Sequence, residues 1–184
     1  ITARSGIRIG TGGTVGPVGS GIVTYFGDGS NLTGTSGGLQ SMNVFTSTGT
    51  STWNKPSGIT KVKVYVTGGG GGCSGVGGDR ADDIGAGGAA GGTAIKIIDV
   101  SSISSVTVTV GMGGTARPYN AGSSANDTTG GAGQPSSFGS HCSATGGQGG
   151  KSYYDGNNVG HATPGVGSGG DLNLRGGYGN LPIC

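Results

Sequence analysis

The stretch TGGGGGCSGVGG, residues 67–78, places five glycines in an unbroken run directly after the strand-like KVKVYV. Glycine loses more backbone freedom on folding than any other residue. A fold that keeps such a run ordered must draw compensating interactions from it; otherwise the run is a linker. The same choice recurs along the chain. Glycine-rich tracts at 68–92, 111–133 and 146–179 alternate with patterned strands, and glycine supplies 48 of the 184 residues, roughly four times its usual share.

Three physical readings of such tracts compete. Collagen is excluded, because proline occurs only six times and no strict G-x-y register runs through the tracts. A flexible Gly/Ser linker fits poorly, because it would not return to a patterned strand three times, nor carry Ile84, Met112, Phe138 and Leu172 at intervals. The third reading is a bundle of polyproline-II-like helices. These have three residues per turn and no internal hydrogen bonds, so N–H and C=O groups point sideways. With glycine at every contact, neighbouring segments approach closely enough to satisfy those groups laterally. Each such bond contributes only about 1 kcal/mol net, which explains long and repeated tracts.

Composition narrows the class further. Glutamate is absent, leucine is rare and no segment has a 3.6-residue apolar period, so almost no α-helix is expected. Apolar residues reach only 31 % and charged residues 10 %, too little for a large conventional core. A net charge of +2 gives no basis for nucleic-acid binding or an anionic membrane as partner. No run of 18 apolar residues occurs, so no helical membrane insertion is expected. The first residues carry no signal-peptide pattern. Cys73, Cys142 and Cys184 are widely spaced without a CxxC or CxxH pair, which argues against a structural zinc site. Their odd number leaves at least one thiol free or paired between chains.

The strand signals are clear. In KVKVYV, Val62, Val64 and Val66 face one way and Lys61, Lys63 and Tyr65 the other. SSVTVTV repeats the device with Val106, Val108 and Val110 inward and Thr107 and Thr109 outward. TAIKIID supplies a third run, with Ile95 and Ile97 on one face, and Trp53 and Phe45 are placed to pack over the valines. A turn is expected at Pro56-Ser57-Gly58. The fold expected is all-β and irregular, with short antiparallel strands joined to a glycine-helix bundle. Residues 1–43 form a β-rich shaft or connector, and residues 44–184 the glycine-rich domain. The short runs RSGIRIG and GIVTYFGDGSNLTG bury too little to stand alone, so neighbouring copies, as a homotrimer, are expected to complete them.

Catalytic and cofactor motifs are weak. GGGGGC lacks the Lys-Ser/Thr and following helix of a phosphate loop, and GMGGTA is followed by no helical pattern. His141 and Cys142 are neighbours and so point to opposite faces of a strand. Asp79, Asp82 and Asp83 lack the spacing of a calcium loop. No catalytic residue, metal or cofactor is expected. The polar-aromatic stretches RPYNAGSSAND (117–127) and KSYYDGNNVGH (151–161) stand out instead. Tyr119, Asn120, Tyr153, Tyr154, Asp155, Asn157 and Asn158 combine stacking faces with hydrogen-bonding groups, a composition typical of binding loops. An ordinary turn whose tyrosines cover the bundle is the plain alternative.

The segment FTSTGTSTWNKPSGITKVKVYVTGGGGG (45–72) resembles the entry to the glycine-rich domain of bacteriophage tail fibres and tail adhesins. PSSFGSHCSATGGQGG (135–150) and GSGGDLNLRGG (167–177) resemble two further landmarks of that domain in the same order. GIVTYFGDGSNLTGT (21–35) is similar to a segment of cyanophage structural proteins. The resemblance implies a non-enzymatic virion protein that mediates host attachment, with polyglycine helices and receptor-contacting loops. Its partners would be further copies of itself, other virion tail proteins, and a host surface glycan or outer-membrane protein. A structural subunit of a virion fibre or extracellular filament, without a receptor role, is the alternative. Cys73 and Cys142 depart from the family pattern.

Overall fold

The computed structural model describes residues 41–75, 85–118, 129–151 and 161–180. Residues 1–40, expected as a shaft, lie outside the described residues. Among those described there is no α-helix. Eight strands form: β1 (Gly49–Asn54), β2 (Lys61–Thr67), β3 (Thr93–Asp99), β4 (Ser105–Val110), β5 (Ser136–Phe138), β6 (Cys142–Ala144), β7 (Gly167–Ser168) and β8 (Leu172–Leu174). They make two antiparallel sheets, one in the order β1-β4-β5-β6-β7 and the other β2-β3-β8.

The period-2 valines dictate this arrangement. A strand with one apolar face must bury that face against another layer. The β1/β4 ladder pairs Trp53 with Val106 and Ser51 with Val108. The β2/β3 ladder pairs Val62 with Ile98 and Val66 with Ala94. Trp53, Val66, Ala94, Ile98, Val100, Val106, Val108, Phe138, Cys142 and Ala144 form one core cluster between the sheets, with Val62, Val64 and Val110 packed against it. Trp53 and Phe138 meet with ring centroids 5.6 Å apart and tilted planes, a favoured aromatic geometry. The Trp53 indole N–H donates to Asn43 Oδ1 at 3.2 Å.

β1 and β2 are consecutive in sequence but belong to different sheets. The turn at Pro56-Ser57-Gly58 is therefore a sandwich corner and not a hairpin. Gly58 has φ +79°, the left-handed value that the third position of a type II turn requires, and the Ile59 N–H donates to the Pro56 carbonyl at 3.4 Å.

Two expectations about the core need correction. Phe45 does not pack over the valines; it is 37 % exposed, and Phe138, on β5 two strands from β1 in the same sheet, meets Trp53 instead. Ile95 and Ile97 do share a face, but it is the outward one, and Ile97 is 60 % exposed. Ala94 and Ile98 point inward, with Lys96 between them in the alternation. Lys96 satisfies its ammonium by donating to the carbonyls of His141 at 3.0 Å and Gly169 at 2.8 Å. These lie in the β5–β6 and β7–β8 connections, so the lysine ties the small sheet to a turn of the larger one and to the crossing between the two.

Trp53→Ala is expected to lower stability by about 3–5 kcal/mol, because it removes the largest side chain of a thin core. Phe45→Ala should change it by less than about 0.5 kcal/mol. Urea unfolding followed by circular dichroism checks both.

Candidate functional site

Where the valine alternation stops, the ladders do not. Thr67 pairs with Thr93 at the end of β2/β3, and the next rung is Gly68 N–H to the Gly92 carbonyl at 3.0 Å. Beyond it the chain runs in seven glycine-rich segments: I (68–75), II (85–92), III (111–118), IV (129–134), V (145–151), VI (161–166) and VII (175–180).

Segment I shows the rule. The N–H groups of residues 68, 71 and 74 donate to Gly92, Ala89 and Ala86 of segment II, and those of 69 and 72 to Gln134 and Gly131 of segment IV. The carbonyls of 70 and 73 accept from Gly114 and Arg117 of segment III, and those of 69 and 72 from Gly147 and Gly150 of segment V. Each neighbour is reached at every third residue, as a helix of three residues per turn requires. These segments are the expected polyproline-II-like helices, and segment I has four neighbours.

The other bonds complete a two-layer lattice. Segments III, I, II and VII lie side by side in one layer, and IV, V and VI nestle in its grooves. Within the second layer the Gly133 N–H donates to Gly147 and that of Gln148 to Thr163, each at 2.9 Å. Between layers, Ala89 donates to Gln148 at 2.9 Å and Gly131 to Thr115 at 2.8 Å. The layers touch backbone to backbone. Within the first layer a Cβ on Gly91 would fall within 3.0 Å of Gly68; between the layers, one on Gly133 would fall within 3.0 Å of Gly69 and one on Gly147 within 3.0 Å of Ala89. A register hidden in the sequence follows. In TGGQGGK (145–151), Thr145 and Gln148 are exposed while Gly147, Gly149 and Gly150 are buried. A local x-G-G register therefore holds in segment V, although none runs through whole tracts. The tract expected at 146–179 is broken by β7 and β8, and Met112 and Leu172 are more than half or half exposed, at 56 % and 50 %.

Chain direction fixes where the segments end. Segments I, III, V and VII leave the sandwich after β2, β4, β6 and β8, and II, IV and VI return to β3, β5 and β7. Residues 75, 85, 118, 129, 151, 161 and 180 therefore all stand at the end of the bundle away from the sandwich. At that end Ser74 is buried, and its hydroxyl accepts from the Ala86 N–H at 2.7 Å. The Arg117 side chain donates to the Thr129 carbonyl at 3.2 Å. His161 lies edge-on to Tyr178 at 6.0 Å, and the Arg175 guanidinium sits 5.6 Å from the centre of the Tyr178 ring. This Arg175–Tyr178–His161 group is an exposed polar-aromatic patch that sequence reading missed. Its residues come from two segments, and only the three-residue rise brings Arg175 and Tyr178 onto one side.

The candidates Tyr119, Asn120, Tyr153, Tyr154, Asp155, Asn157 and Asn158 lie outside the described residues, as do Asp79, Asp82 and Asp83. The described residues that flank the first set, Pro118, Lys151 and His161, belong to the same far end. Cys142 is buried in the sandwich core, and His141 just before β6 is half-buried with its ring 6.0 Å from that of Phe138. Burial pushes its thiol pKa up, with Lys96 opposing the shift and Asp171 adding to it. A buried neutral thiol is a poor nucleophile.

The architecture is that of a small β-sandwich extended by a lattice of glycine helices. The chain belongs to the glycine-rich domain family, which matches residues 46–181. No curated protein matches it.

Gly91→Ala and Gly133→Ala are each expected to destabilise the domain by about 3 kcal/mol, the upper range for overpacking, because the obstructing atoms are backbone; Gly177→Ala, with nothing within 4 Å, should be neutral. Thermal unfolding of the three variants checks this. Cys142 adds a pH dependence. Its folded pKa lies above the ordinary 9.0, so its contribution is present below that value and is lost as pH rises through the folded pKa. Relative to wild type, Cys142→Ala should flatten the fall in stability as pH rises above 9.0.

Proposed function

We propose that this chain is a component of a bacteriophage tail fibre or tail adhesin that attaches the virion to the host cell surface, and that it is not an enzyme. The observation that supports the reading is that residues 75, 85, 118, 129, 151 and 161, where segments end and begin, all stand at one end. A bundle whose segments end together carries its connections on a fixed support, which is how binding loops are usually carried. Both polar-aromatic stretches named from the sequence, 117–127 and 151–161, connect outgoing to returning segments at that end. Recognition is assigned to Tyr119, Asn120, Tyr153, Tyr154, Asp155, Asn157 and Asn158. Tyrosine stacks on sugar rings or protein, and Asn and Asp bond hydroxyl and amide groups. The proposed ligand is a host glycan or outer-membrane protein, and the proposed location is the virion, with residues 1–43 joining the domain to other tail proteins as a trimer.

A Tyr153→Ala, Tyr154→Ala double variant is expected to keep its circular dichroism spectrum and oligomeric state while losing host-cell adsorption. Adsorption at the wild-type level would favour the other reading, a structural subunit of a fibre or extracellular filament without a receptor role.

A further inference from the structure

The two outer faces of the lattice differ. On the second layer, every third residue carries a side chain outward: Ala132 on segment IV, Thr145 and Gln148 on V, Thr163 and Val166 on VI, all exposed. The corresponding outward positions of the first layer are Gly113 and Ala116 on segment III, Gly70 and Cys73 on I, Gly87 and Ala90 on II, and Gly177 and Asn180 on VII. Four of these eight are glycine, and nothing among the described residues requires it. A Cβ at Gly70 would find its nearest atom 3.8 Å away, at Gly113 3.7 Å and at Gly87 3.6 Å, all ordinary contacts, and at Gly177 it would meet nothing within 4 Å. The lattice glycines between layers are obligatory, and these are not. Yet an exposed glycine with no internal role only adds conformational freedom to the unfolded chain.

The backbone on this face is unsatisfied in a regular way. The N–H groups of Gly70, Cys73, Gly87, Gly113, Ala116 and Gly177 have no partner among the described residues, whereas that of Ala90 donates within the layer to Gly177 at 2.9 Å. On segments I and III they recur at every third residue, the spacing at which the internal N–H groups meet their partners. What such a face fits is therefore already on view inside the chain, where a layer of glycine helices packs against another layer of the same kind. A partner bearing ordinary side chains would be held off the donors. One bearing a bare backbone at three-residue spacing would not, and this chain carries such a surface itself.

We propose that the first layer, segments III, I, II and VII, is an interface through which two copies of this chain pack face to face and continue the glycine lattice between them. Segments I, II and III, of eight residues, are about 25 Å long at the rise of this helix and segment VII, of six, about 19 Å, and four abreast at the roughly 5 Å spacing of hydrogen-bonded backbones span about 20 Å. The face offers about 500 Å² per copy and about 1,000 Å² in the pair, the lower bound for a specific interface. The pairing is independent of the receptor reading, because it uses the side of the bundle and not its end.

The test dresses the bare face as the opposite face is dressed. In the full chain, Gly70→Gln with Gly113→Gln should keep the fold, judged by circular dichroism and melting temperature, and should halve the mass of the particle measured by analytical ultracentrifugation. Gln148→Gly on the second layer should leave that mass unchanged. Cys73 provides a second measurement on the wild type, with no variant needed: its maleimide alkylation, read by peptide mass spectrometry, should accelerate at least about tenfold on dilution through the dissociation constant. An unchanged mass in the double variant overturns the proposal. So does alkylation of Cys73 that is independent of concentration: fast throughout if the face is open in an assembly held elsewhere, slow throughout if residues 1–40 of the same chain cover it.

Discussion

The whole domain depends on one requirement: every backbone N–H and C=O taken from water needs a partner. Strands and α-helices satisfy this in one or two directions. A three-residue helix makes no bonds to itself and offers its groups sideways in three directions, so it is unstable alone and stable in a lattice. Segments I, II and V are each bonded to four neighbours. The same requirement explains the composition. Bonds of about 2.9 Å between backbones leave no space for a Cβ between the layers, and a domain with few apolar residues can still be cohesive.

The sandwich sets the register that the lattice inherits. Its sheets are held apart by Trp53, Phe138 and the inward valines. The β2/β3, β3/β8 and β6/β7 ladders run directly into the I/II, II/VII and V/VI contacts. Side chains thus align the strands, and the glycine segments leave already in register. The entropic cost of bringing seven featureless segments together is reduced because each outgoing strand places its segment beside the right neighbour.

How much of this could be read in the sequence depends on the kind of information each part carries. The valine alternation in 61–67 and 105–110 fixes strand faces locally, and the structure agrees there. Trp53 in the core and the near absence of helix were legible for the same reason. TAIKIID misled because three isoleucines and one alanine leave both faces apolar; only the pairing with β2 and the reach of Lys96 to two connections decide which side is buried. Phe45 misled because an aromatic near a strand looks like a core residue until Phe138, almost a hundred positions later, occupies the place. The two-layer order was illegible, since glycine gives no side-chain signal to say which segments are neighbours. TGGQGGK did hold a signal, as two glycines in every three mark a segment with one free face. The proposed recognition residues were chosen by composition alone; their flanks show only that the connections which carry them meet at one end.

The three-residue turn also makes the length of every segment a quantised variable. Adding or removing one residue within GGGGGC or TGGQGGK would rotate all that follows by a third of a turn and drive Thr, Gln or Cys into a contact that admits only backbone. Changes of three residues preserve the register and lengthen the bundle by one step. Single-residue change is compatible with the lattice only outside these segments. A chain built this way can alter its tip residue by residue while its body grows only by whole turns.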